Sequence, residues 1–413
     1  MKTHRSAVLA TAVTLLGALG AWGCGSSSNN NEDNAGGSAS GAAAIKVGQM
    51  VAVGGPLPFD DLAAAGKAAV EGVNRRGGIN GRRLEYHFCN EGNNPNQAVT
   101  CARKFVSDGV VAVFGSQSVT GEQQFSSVLR RAGIAGVGDL PTFTEFINSP
   151  TEFLLYQTWT GTSYIAGIKA CVDRGLTRIA TPAPAIPSAG PILDAMRKAA
   201  TKLNAQIVSA PSVSLSQTDW LPVLQKIKDA GANCVDPVMP AAAQLAMMNA
   251  RKDVGLADLP FTINQTGFSP KQLAALGATG NGSVVASAYP VPTATERFPV
   301  LERFQEDMKA FSDDGAPYDQ EMTRPTAVNV WFAVQALAKV MADGHVPASR
   351  TAILAALRKA EDVDLGLPLA WSPNAPGPAG KARVWTAQSY LNLYRDGHLA
   401  PAAAPTDLGS LLR

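Results

Sequence analysis

Short apolar runs alternate with helical patterns along most of this chain, from residue 45 onward. The runs with the length and composition of buried strands cover residues 45–53, 84–88, 110–114, 134–137, 153–156, 178–181, 206–213, 234–238, 261–264 and 283–288. Strands that alternate with helices are typical of parallel sheets joined by crossover helices. The pattern therefore predicts an α/β fold whose cores are parallel sheets.

The N-terminus has the order of features typical of an export signal. Lys2 and Arg5 precede an apolar run over residues 7–19, and Gly23 and Cys24 follow soon after it. The run is about 13 residues long, whereas a helix needs ~20 to cross a bilayer. A removable signal is therefore favoured over a membrane-spanning anchor.

The residues around Cys24 resemble a bacterial lipobox, in which the cysteine is acylated and becomes the mature N-terminus. We therefore expect residues 1–23 to be a signal peptide and Cys24 to carry lipid. Residues 24–44, rich in Gly, Ser, Asn and Ala, have the composition of a flexible tether. The expected location is the cell envelope outside the cytoplasm, in the periplasm or on the outer face of the cell membrane, with the lipid holding the protein to the membrane.

The length and charge of the chain restrict its organisation and its partners. Its 413 residues exceed what one core usually holds, so two lobes are expected. Three segments that leave a strand without a tight return are candidate crossings between the lobes, over residues 158–162, 287–292 and 367–380. The expected boundaries are 45–158 plus 289–366 for lobe 1 and 159–288 plus 367–413 for lobe 2. The chain has 35 Lys and Arg against 33 Asp and Glu, and this near balance argues against a nucleic-acid partner.

The cysteines fit an oxidising compartment. The chain has five cysteines, and four remain if Cys24 takes the lipid, which suits two disulfides. Cys89 and Cys101, at a strand end and inside the next helix, are the first expected pair. Cys171 and Cys234 remain as the second pair, and buried free thiols are the alternative.

Local sequence signals mark the start of two helices and the position of two C-terminal strands. Asn94 can cap a helix whose first turn contains Pro95, and Pro325 opens a helix that should stop at Gly344. Two short C-terminal strands are expected at 383–386 and 390–394.

Several segments, taken in chain order, form a recognisable pattern. They are residues 45–48, the loop 54–57, the segment Asn-Arg-Arg-Gly-Gly-Ile-Asn-Gly-Arg at 74–82, Asn-Pro-Asn-Gln-Ala at 94–98, residues 218–220 and 227–231, and the stretch from 390 to 397. Together they resemble the leucine/isoleucine/valine-binding-protein family, the extracytoplasmic solute-binding components of ABC importers. The resemblance implies the type I periplasmic-binding-protein fold, with two Rossmann-like lobes joined by a three-segment hinge. It also implies a small-molecule ligand in the interlobe cleft, ABC permease subunits as partners, a monomer and no cofactor.

The loop 115–121 is the first candidate for a ligand contact. It follows a predicted strand and opens a helix, and ligands of open parallel sheets bind beyond the carboxyl ends of strands. In the resembled family this loop holds the carboxylate of the substrate through hydroxyls and amides. The candidate contacts are Ser116, Gln117, Ser118 and Thr120. The alternative is that these residues only cap the helix.

The next loop, 138–142, occupies the analogous place after the following strand. Asp139 could pair with a ligand ammonium group or cap the residues that follow it. Thr142 matches a family threonine that binds substrate, whereas Pro141 departs from the family and removes a backbone donor.

The second lobe departs further from the resembled family. Ser188 is closest to a position where the family often has a tyrosine, and Gln265 and Thr266 lie where members that bind α-amino acids often have an acid. A neutral amide cannot offset an ammonium charge as a carboxylate does. The expected ligand is therefore a small polar solute, which could be an amino acid, an amide or a carboxylate, and a branched-chain amino acid is disfavoured.

Two aromatic residues could form a wall of the cleft. Phe59 and Tyr289 suit such a wall, although core or hinge packing is the alternative for both.

None of the four histidines belongs to a metal-spaced or nucleophile-base motif, and no Gly-x-Ser-x-Gly elbow occurs. We therefore expect a binding protein without a metal site. The alternatives are a ligand-sensing receptor module and, with less support, an envelope hydrolase.

Overall fold

The computed structural model of the chain describes residues 43–54, 59–140, 149–155, 160–185, 189–214, 216–264, 268, 270–313, 325–375 and 387–412. The expected signal peptide, Cys24 and nearly all of the tether lie outside these residues. Four candidate ligand contacts also lie outside them, namely Thr142, Ser188, Gln265 and Thr266.

The first sheet has five parallel strands in the order β2-β1-β3-β4-β5. Its strands are β1 (Ile45–Val51), β2 (Leu84–Asn90), β3 (Ala112–Phe114), β4 (Ala135–Val137) and β5 (Glu152–Phe153). The helices between the first four strands are α1 (Asp60–Arg75), α2 (Pro95–Ser107) and α3 (Glu122–Arg131). The alternation of strands and helices in this half is the one that the apolar pattern predicts.

The second sheet is mixed. Its parallel part has the order β10-β6-β8, and the bridge between Val235 and Phe261 connects it to the order β11-β12-β13-β14. The strands are β6 (Arg178–Ala180), β8 (Gln206–Ser209), β10 (Cys234–Val235), β11 (Thr262–Asn264), β12 (Val284–Ser287), β13 (Gln388–Arg395) and β14 (His398–Ala400), with β7 (Ala183–Pro184) paired to β9 (Ser212–Val213) and β15 (Thr406–Asp407) paired to β13. The helices of this half are α4 (Thr160–Asp173), α5 (Ala189–Lys202), α6 (Leu221–Asp229), α7 (Ala241–Ala250) and α8 (Pro270–Ala274).

Three later helices return to the first sheet. They are α9 (Val300–Asp313), α10 (Pro325–Asp343) and α11 (Arg350–Lys359), and a short α12 (Gly409–Leu412) follows the last strand. Helices α9 and α10 pack against α1, and α10 and α11 also pack against β4. Most side chains of α10 are buried, as expected for a helix that is apolar on nearly all sides.

The described chain passes between the two sheets at recognisable places. Helix α4 follows β5 of the first sheet but packs against β11, β12 and β13 of the second. The chain leaves β12 at Ser287, and the next helix, α9, packs against α1 of the first half. It passes back after α11, which packs against β4, to reach β13. The first and second halves of the fold are therefore each built from separate stretches of sequence.

Several strands are shorter than predicted, and two of these corrections have the same physical cause. The predicted strand 206–213 is two strands, β8 and β9, because Pro211 has no N–H group to continue the ladder. The predicted strand 234–238 ends at Val235, close before Pro237. Proline in an apolar run therefore interrupted both strands.

The C-terminal hairpin was only half predicted. The expected strand 390–394 lies within β13, and the expected strand 383–386 lies outside the described residues. Strand β14 was missed, although its turn has a clear sequence signal. Asp396 and Gly397 have φ angles of 50° and 86°, the positive values that a two-residue hairpin turn with an Asp-Gly sequence favours.

The expected helix start and both cysteine pairings are confirmed. The side chain of Asn94 accepts hydrogen bonds from the backbone of Asn96 and Gln97 at the start of α2. Disulfides join Cys89 to Cys101, between β2 and α2, and Cys171 to Cys234, between α4 and β10. Buried free thiols, the alternative for the second pair, are thus excluded in this structure.

Candidate functional site

The loops after β3 and β4 are joined to each other at the carboxyl end of the first sheet. The backbone N–H of Ser116 donates to Oδ1 of Asp139 at 2.8 Å, and the N–H of Leu140 donates to the carbonyl of Ser116 at 2.9 Å. The Ser116 hydroxyl oxygen accepts from the N–H of Met50, at 3.2 Å, near the end of β1. The two loops predicted from the sequence are therefore one hydrogen-bonded unit.

The side chains of the loop 115–121 divide into two groups. Ser116 and Ser118 are buried, and the Ser118 hydroxyl oxygen accepts from the backbone N–H groups of Thr120 and Gly121, so this side chain caps the approach to α3. Gln117 is half-buried and Thr120 is exposed. Of the four candidate side chains, Gln117 and Thr120 are therefore the more accessible, although the Gln117 amide oxygen is itself buried.

Acidic side chains lie directly beneath these loops. An ideal Cβ atom on Gly136 would lie 2.1 Å from Oε2 of Glu152 and 2.5 Å from Oδ2 of Asp139, so the two carboxyl groups converge over this glycine. Burial raises the pKa of Asp139, and the nearby charges of Glu152 and Glu122 raise it further. Two adjacent buried carboxyl groups cannot both ionise readily, so this environment favours the protonated form of Asp139.

The orientation of Asp139 bears on its expected role. It is 5% exposed, and its carboxyl group is directed to the Ser116 amide and to Glu152. In this position it holds the loop after β3 through the hydrogen bond that it accepts from the Ser116 N–H. A further carboxyl group, that of Glu91 directly after β2, also has its pKa raised by burial.

A small cavity of about 10 Å³ lies between the two loops. It is lined by Met50, Ser116, Gln117, Ser118, Glu122, Phe125, Asp139 and Leu140. This volume corresponds to about one water molecule, whereas small-molecule sites usually measure roughly 300–1,000 Å³. A solute would therefore contact the outer side of the loops.

A larger cavity, of about 570 Å³, lies at the other end of the first sheet, next to Gly78 and Ile79 and between α9 and α10. Gly78 and Ile79 precede β2, so this cavity is at the amino ends of the strands. Ligands of open parallel sheets bind at the carboxyl ends. The loops after β3 and β4 remain the better candidate in spite of the difference in volume.

Helix α10 supports both candidate loops through two glycines. Gly115 and Gly138, directly after β3 and β4, have φ angles of 53° and 61°. An ideal Cβ on Gly115 would lie 2.7 Å from a methyl group of Val330, and one on Gly138 would lie 2.7 Å from Cβ of Ala333. Positive φ and the close helix together require glycine at both positions.

The two predicted aromatic residues have different surroundings. Phe59 is half-buried just before α1 and packs against the main hydrophobic core, and its N–H donates to the carbonyl of Ala52 at 2.8 Å. Tyr289 is 1% exposed, and its hydroxyl donates to Oδ1 of Asn329 at 2.6 Å. Its ring stacks on that of Phe332, with 5.5 Å between the centroids.

Sequence reasoning missed a buried polar group at the carboxyl end of the second sheet. Asp236 follows β10 and is 2% exposed, and the hydroxyl of Thr262 donates to its Oδ1 at 2.5 Å. Burial raises the pKa of Asp236 to about 7. Burial and the charge of Asp236 raise the pKa of Tyr164 to about 12. The available signal was an acid that interrupts the apolar run 234–238.

The described part of the chain has neither a cluster of metal-ligand type nor a helix that could span a membrane. It contains no group of three or more His, Cys, Asp or Glu side chains arranged to hold a metal ion. No helix there has both the length and the apolar character that a membrane span requires.

The sequence of the chain was compared with protein families and with characterised proteins. The model of the family described as Periplasmic binding protein matches residues 44–388. The chain is 32% identical over 116 residues to the leucine-, isoleucine-, valine-, threonine- and alanine-binding protein of Pseudomonas aeruginosa, which is 28% of this chain and 31% of that protein. It is 30% identical over 116 residues to the Leu/Ile/Val-binding protein of Escherichia coli, 28% of this chain and 32% of that protein. The matched part thus spans about a third of these relatives.

Solved structures resemble the chain over most of its length. One is a solute-binding protein of an ABC transporter from Rhodopseudomonas palustris in complex with p-hydroxybenzoic acid, with a TM-score of 0.71, 19% identity, and 88% of this chain and 97% of that one covered. Another is a possible leucine/isoleucine/valine-binding protein from Rhodopirellula baltica, with a TM-score of 0.71, 14% identity and the same coverage of 88% and 97%. At these identities the likeness shows the fold. With the family match over most of its length, the chain belongs to the periplasmic binding protein family, has the type I fold, and is a binding protein rather than an enzyme.

Proposed function

We propose that this protein is the extracytoplasmic solute-binding component of an ABC importer, and that it holds a small polar solute between the carboxyl ends of its two sheets. The observation that carries the proposal is a buried contact between these ends. The Gly138 carbonyl, after β4 of the first sheet, and the Tyr289 hydroxyl, after β12 of the second, both bond to the side chain of Asn329. This contact brings the loop after β4 together with the segment that leaves β12, and open α/β folds bind ligands beyond such carboxyl ends of strands.

The proposed ligand class is an amino acid, an amide or a carboxylate. Relatives are named for binding leucine, isoleucine, valine, threonine and alanine, and structural neighbours were solved with benzoate and 4-hydroxybenzoate. The proposed site residues, which contact the ligand or hold the groups that contact it, are Phe59, Ser116, Gln117, Ser118, Thr120, Asp139, Thr142, Ser188, Gln265, Thr266 and Tyr289. Of the residues in the loop 115–121, we assign direct contact to Gln117 and Thr120 and a supporting position to Ser116 and Ser118.

We further propose two lobes that close over the solute. Lobe 1 comprises residues 45–158 and 289–366, and lobe 2 comprises 159–288 and 367–413. A solute that contacts both lobes binds the closed form better than the open form and so shifts the equilibrium toward closure. The closed monomer is the form that the permease would recognise.

The proposal includes the route by which the protein reaches the membrane. Residues 1–23 are the expected signal peptide, Cys24 the lipid-bearing N-terminus and residues 24–44 the tether. A chain of ~20 flexible residues reaches roughly 25 Å on average. The binding site would then stay within a short distance of its permease.

A thermal-shift screen followed by calorimetry tests the ligand class. The compounds are single amino acids, amides, and short-chain and aromatic carboxylates, and we expect one class to raise the melting temperature and to bind one molecule per chain. Thr120→Ala should weaken that binding about tenfold, the effect of one lost hydrogen bond to a charged or polar group. Thr201→Ala, an exposed threonine on α5, is the matched control and should leave the affinity unchanged. Stabilisation by no compound, or equal effects of the two variants, would contradict the proposal.

A further inference from the structure

Asn329 is an amide buried inside an apolar helix. It is 1% exposed, and its neighbours on α10, Val328 and Val330, are also buried. A buried amide is unfavourable unless its donor and its acceptor both find partners. Here Oδ1 accepts from the Tyr289 hydroxyl at 2.6 Å and Nδ2 donates to the Gly138 carbonyl at 2.6 Å. The side chain therefore connects the loop after β4 of the first sheet to the segment by which the chain leaves β12 of the second.

On the first-sheet side, the bond reaches the loop that carries Asp139. The Gly138 carbonyl and the Asp139 N–H belong to one planar peptide group, so a bond to this carbonyl fixes the plane from which Asp139 departs. Asp139 in turn accepts from the Ser116 amide at 2.8 Å. The peptide group between Gly138 and Asp139 thus links the Asn329 amide to the hydrogen bond that joins the two candidate ligand loops.

On the other side, the bond reaches the segment by which the chain leaves the second sheet. The Ser287 hydroxyl donates to the Tyr289 carbonyl at 2.7 Å, and the Ser287 carbonyl accepts from the Ser389 hydroxyl, on β13, at 3.1 Å. The Tyr289 ring is stacked on Phe332 of α10. The Tyr289 hydroxyl is therefore held in a defined position relative to both the second sheet and α10.

We propose that Tyr289 and Asn329 are positioning residues, which hold the loop after β4 in the shape required for ligand binding and couple that shape to the segment between the sheets. The part of this inference that concerns ligand rests on the proposed function, whereas the part that concerns the loop does not. A merely structural pair would contribute to stability without any specific effect on the loops after β3 and β4.

Amide hydrogen exchange of the full chain, without ligand, separates these possibilities. Tyr289→Phe removes only the hydroxyl and keeps the stacked ring. We expect the Ser116 and Leu140 amides to exchange about tenfold faster in this variant, because one buried hydrogen bond that supports their acceptors is lost. Tyr394→Phe is the matched control, since Tyr394 is also buried and its hydroxyl donates to the Leu273 carbonyl at 3.0 Å in the second half. The control should lower the melting temperature without accelerating exchange at Ser116 and Leu140.

A second comparison tests whether Tyr289 acts through Asn329. In an Asn329→Ala background, Tyr289→Phe should produce no further acceleration at these amides. Equal exchange in the Tyr289→Phe and Tyr394→Phe proteins, or additive effects of Tyr289→Phe and Asn329→Ala, would overturn the proposal whatever the protein binds.

The ligand part is tested with L-leucine, benzoate and 4-hydroxybenzoate as probes. For a probe that stabilises the wild-type protein, Tyr289→Phe should weaken binding about tenfold and Tyr394→Phe should not. Faster exchange with unchanged affinity would overturn the coupling to ligand. Failure of every probe to bind wild-type protein would count against the proposed function and leave the exchange result standing.

Discussion

At the scale of single residues, Asp236 shows what burial does to a carboxyl group. It lies over Gly167 of α4, bonded to the Thr262 hydroxyl, and an ideal Cβ on Gly167 would be 2.3 Å from its Oδ1. Burial raises its pKa from the ordinary 3.8 to about 7. The folded protein therefore binds a proton at this site over a pH range in which the unfolded chain has lost it.

This difference predicts how stability depends on pH. The pKa of Asp236 is higher in the folded state, so binding of a proton at this site stabilises the fold. This stabilisation is fully present below about pH 4 and is lost as the pH rises through 7. Asp236→Asn should remove this part of the dependence. Between pH 5 and pH 8 the free energy of unfolding of the wild-type protein should fall by roughly 2–3 kcal/mol more than that of the variant. Urea unfolding at both pH values measures the difference, and parallel pH profiles would contradict the prediction.

Gly138 allows a test of why the candidate loop needs glycine. Gly138→Ala introduces strain at φ 61° and a contact of 2.7 Å with Ala333. Gly133→Ala introduces similar strain at φ 66°, but no atom lies within 4 Å of its ideal Cβ. We expect denaturant unfolding to give a loss of about 1–2 kcal/mol for Gly133→Ala and about 2–5 kcal/mol for Gly138→Ala. Equal losses would mean that the backbone angle alone explains the glycine.

At the scale of the elements, one buried carboxylate joins α1, α9 and α10. Asp307, on α9, accepts from Arg75 at 3.0 Å, from Arg76 at 2.7 and 2.9 Å, and from the Trp331 indole N–H at 2.9 Å. Its side chain is 2% exposed, whereas those of the arginines are 43% and 36% exposed. The bonded carboxylate therefore fixes how the returning helices lie on the first sheet.

Asp307→Ala should destabilise the protein by about 2–4 kcal/mol, because the buried Trp331 N–H loses its acceptor and a cavity remains. Asp343→Ala, which removes the exposed partner of Lys339 on α10, is the control and should change the free energy of unfolding by less than about 1 kcal/mol. Denaturant titration monitored by tryptophan fluorescence measures both. A loss at Asp307 no larger than that at Asp343 would show that the cluster is not important for stability.

The two disulfides should stabilise the fold to different degrees. Cys171 and Cys234 are 63 residues apart, and Cys89 and Cys101 are 12 apart. Because a longer closed loop restricts the unfolded chain more, replacing Cys171 and Cys234 by alanines should lower the free energy of unfolding by about 4 kcal/mol, and replacing Cys89 and Cys101 by about 3 kcal/mol. Unfolding of the two double variants at equal pH measures this order. The reverse order would show that packing around the cysteines outweighs loop closure.

Local signals explain why much of the fold could be predicted. Asn94 and Pro95 mark a helix start by chemistry that acts within a few residues, and the structure has the cap there. Strand ends were harder, because Pro211 and Pro237 lie inside runs whose apolar character continues past them. The missed strand β14 follows the turn at Asp396 and Gly397, but it is three residues long with one buried side chain, so it forms no apolar run.

The candidate site was predicted less completely for a different reason. The rule that ligands bind at carboxyl ends of strands places Ser116 and Asp139 together, and they are hydrogen-bonded. Which side chains turn inward depends on partners distant in sequence. Asn329 lies 40 residues from Tyr289 and 191 from Gly138, so no local pattern could identify it.

At the scale of the whole molecule, the described passages between the sheets make ligand-driven closure a testable expectation. A solute that raises the melting temperature should also decrease the radius of gyration in small-angle X-ray scattering, because bound solute favours the closed form. Thr120→Ala protein at the same solute concentration should show a smaller decrease, and the control Thr201→Ala should behave as wild type. A bound solute with no change in scattering would contradict closure.

The positions of the disulfides affect this motion. The Cys89–Cys101 bond lies wholly within the half built on the first sheet, and the Cys171–Cys234 bond lies wholly within the half built on the second. Each bond is thus an internal brace, and neither one fastens the halves to each other. We therefore expect an oxidising environment to make each half more resistant to heat and proteases without slowing the entry or escape of the solute.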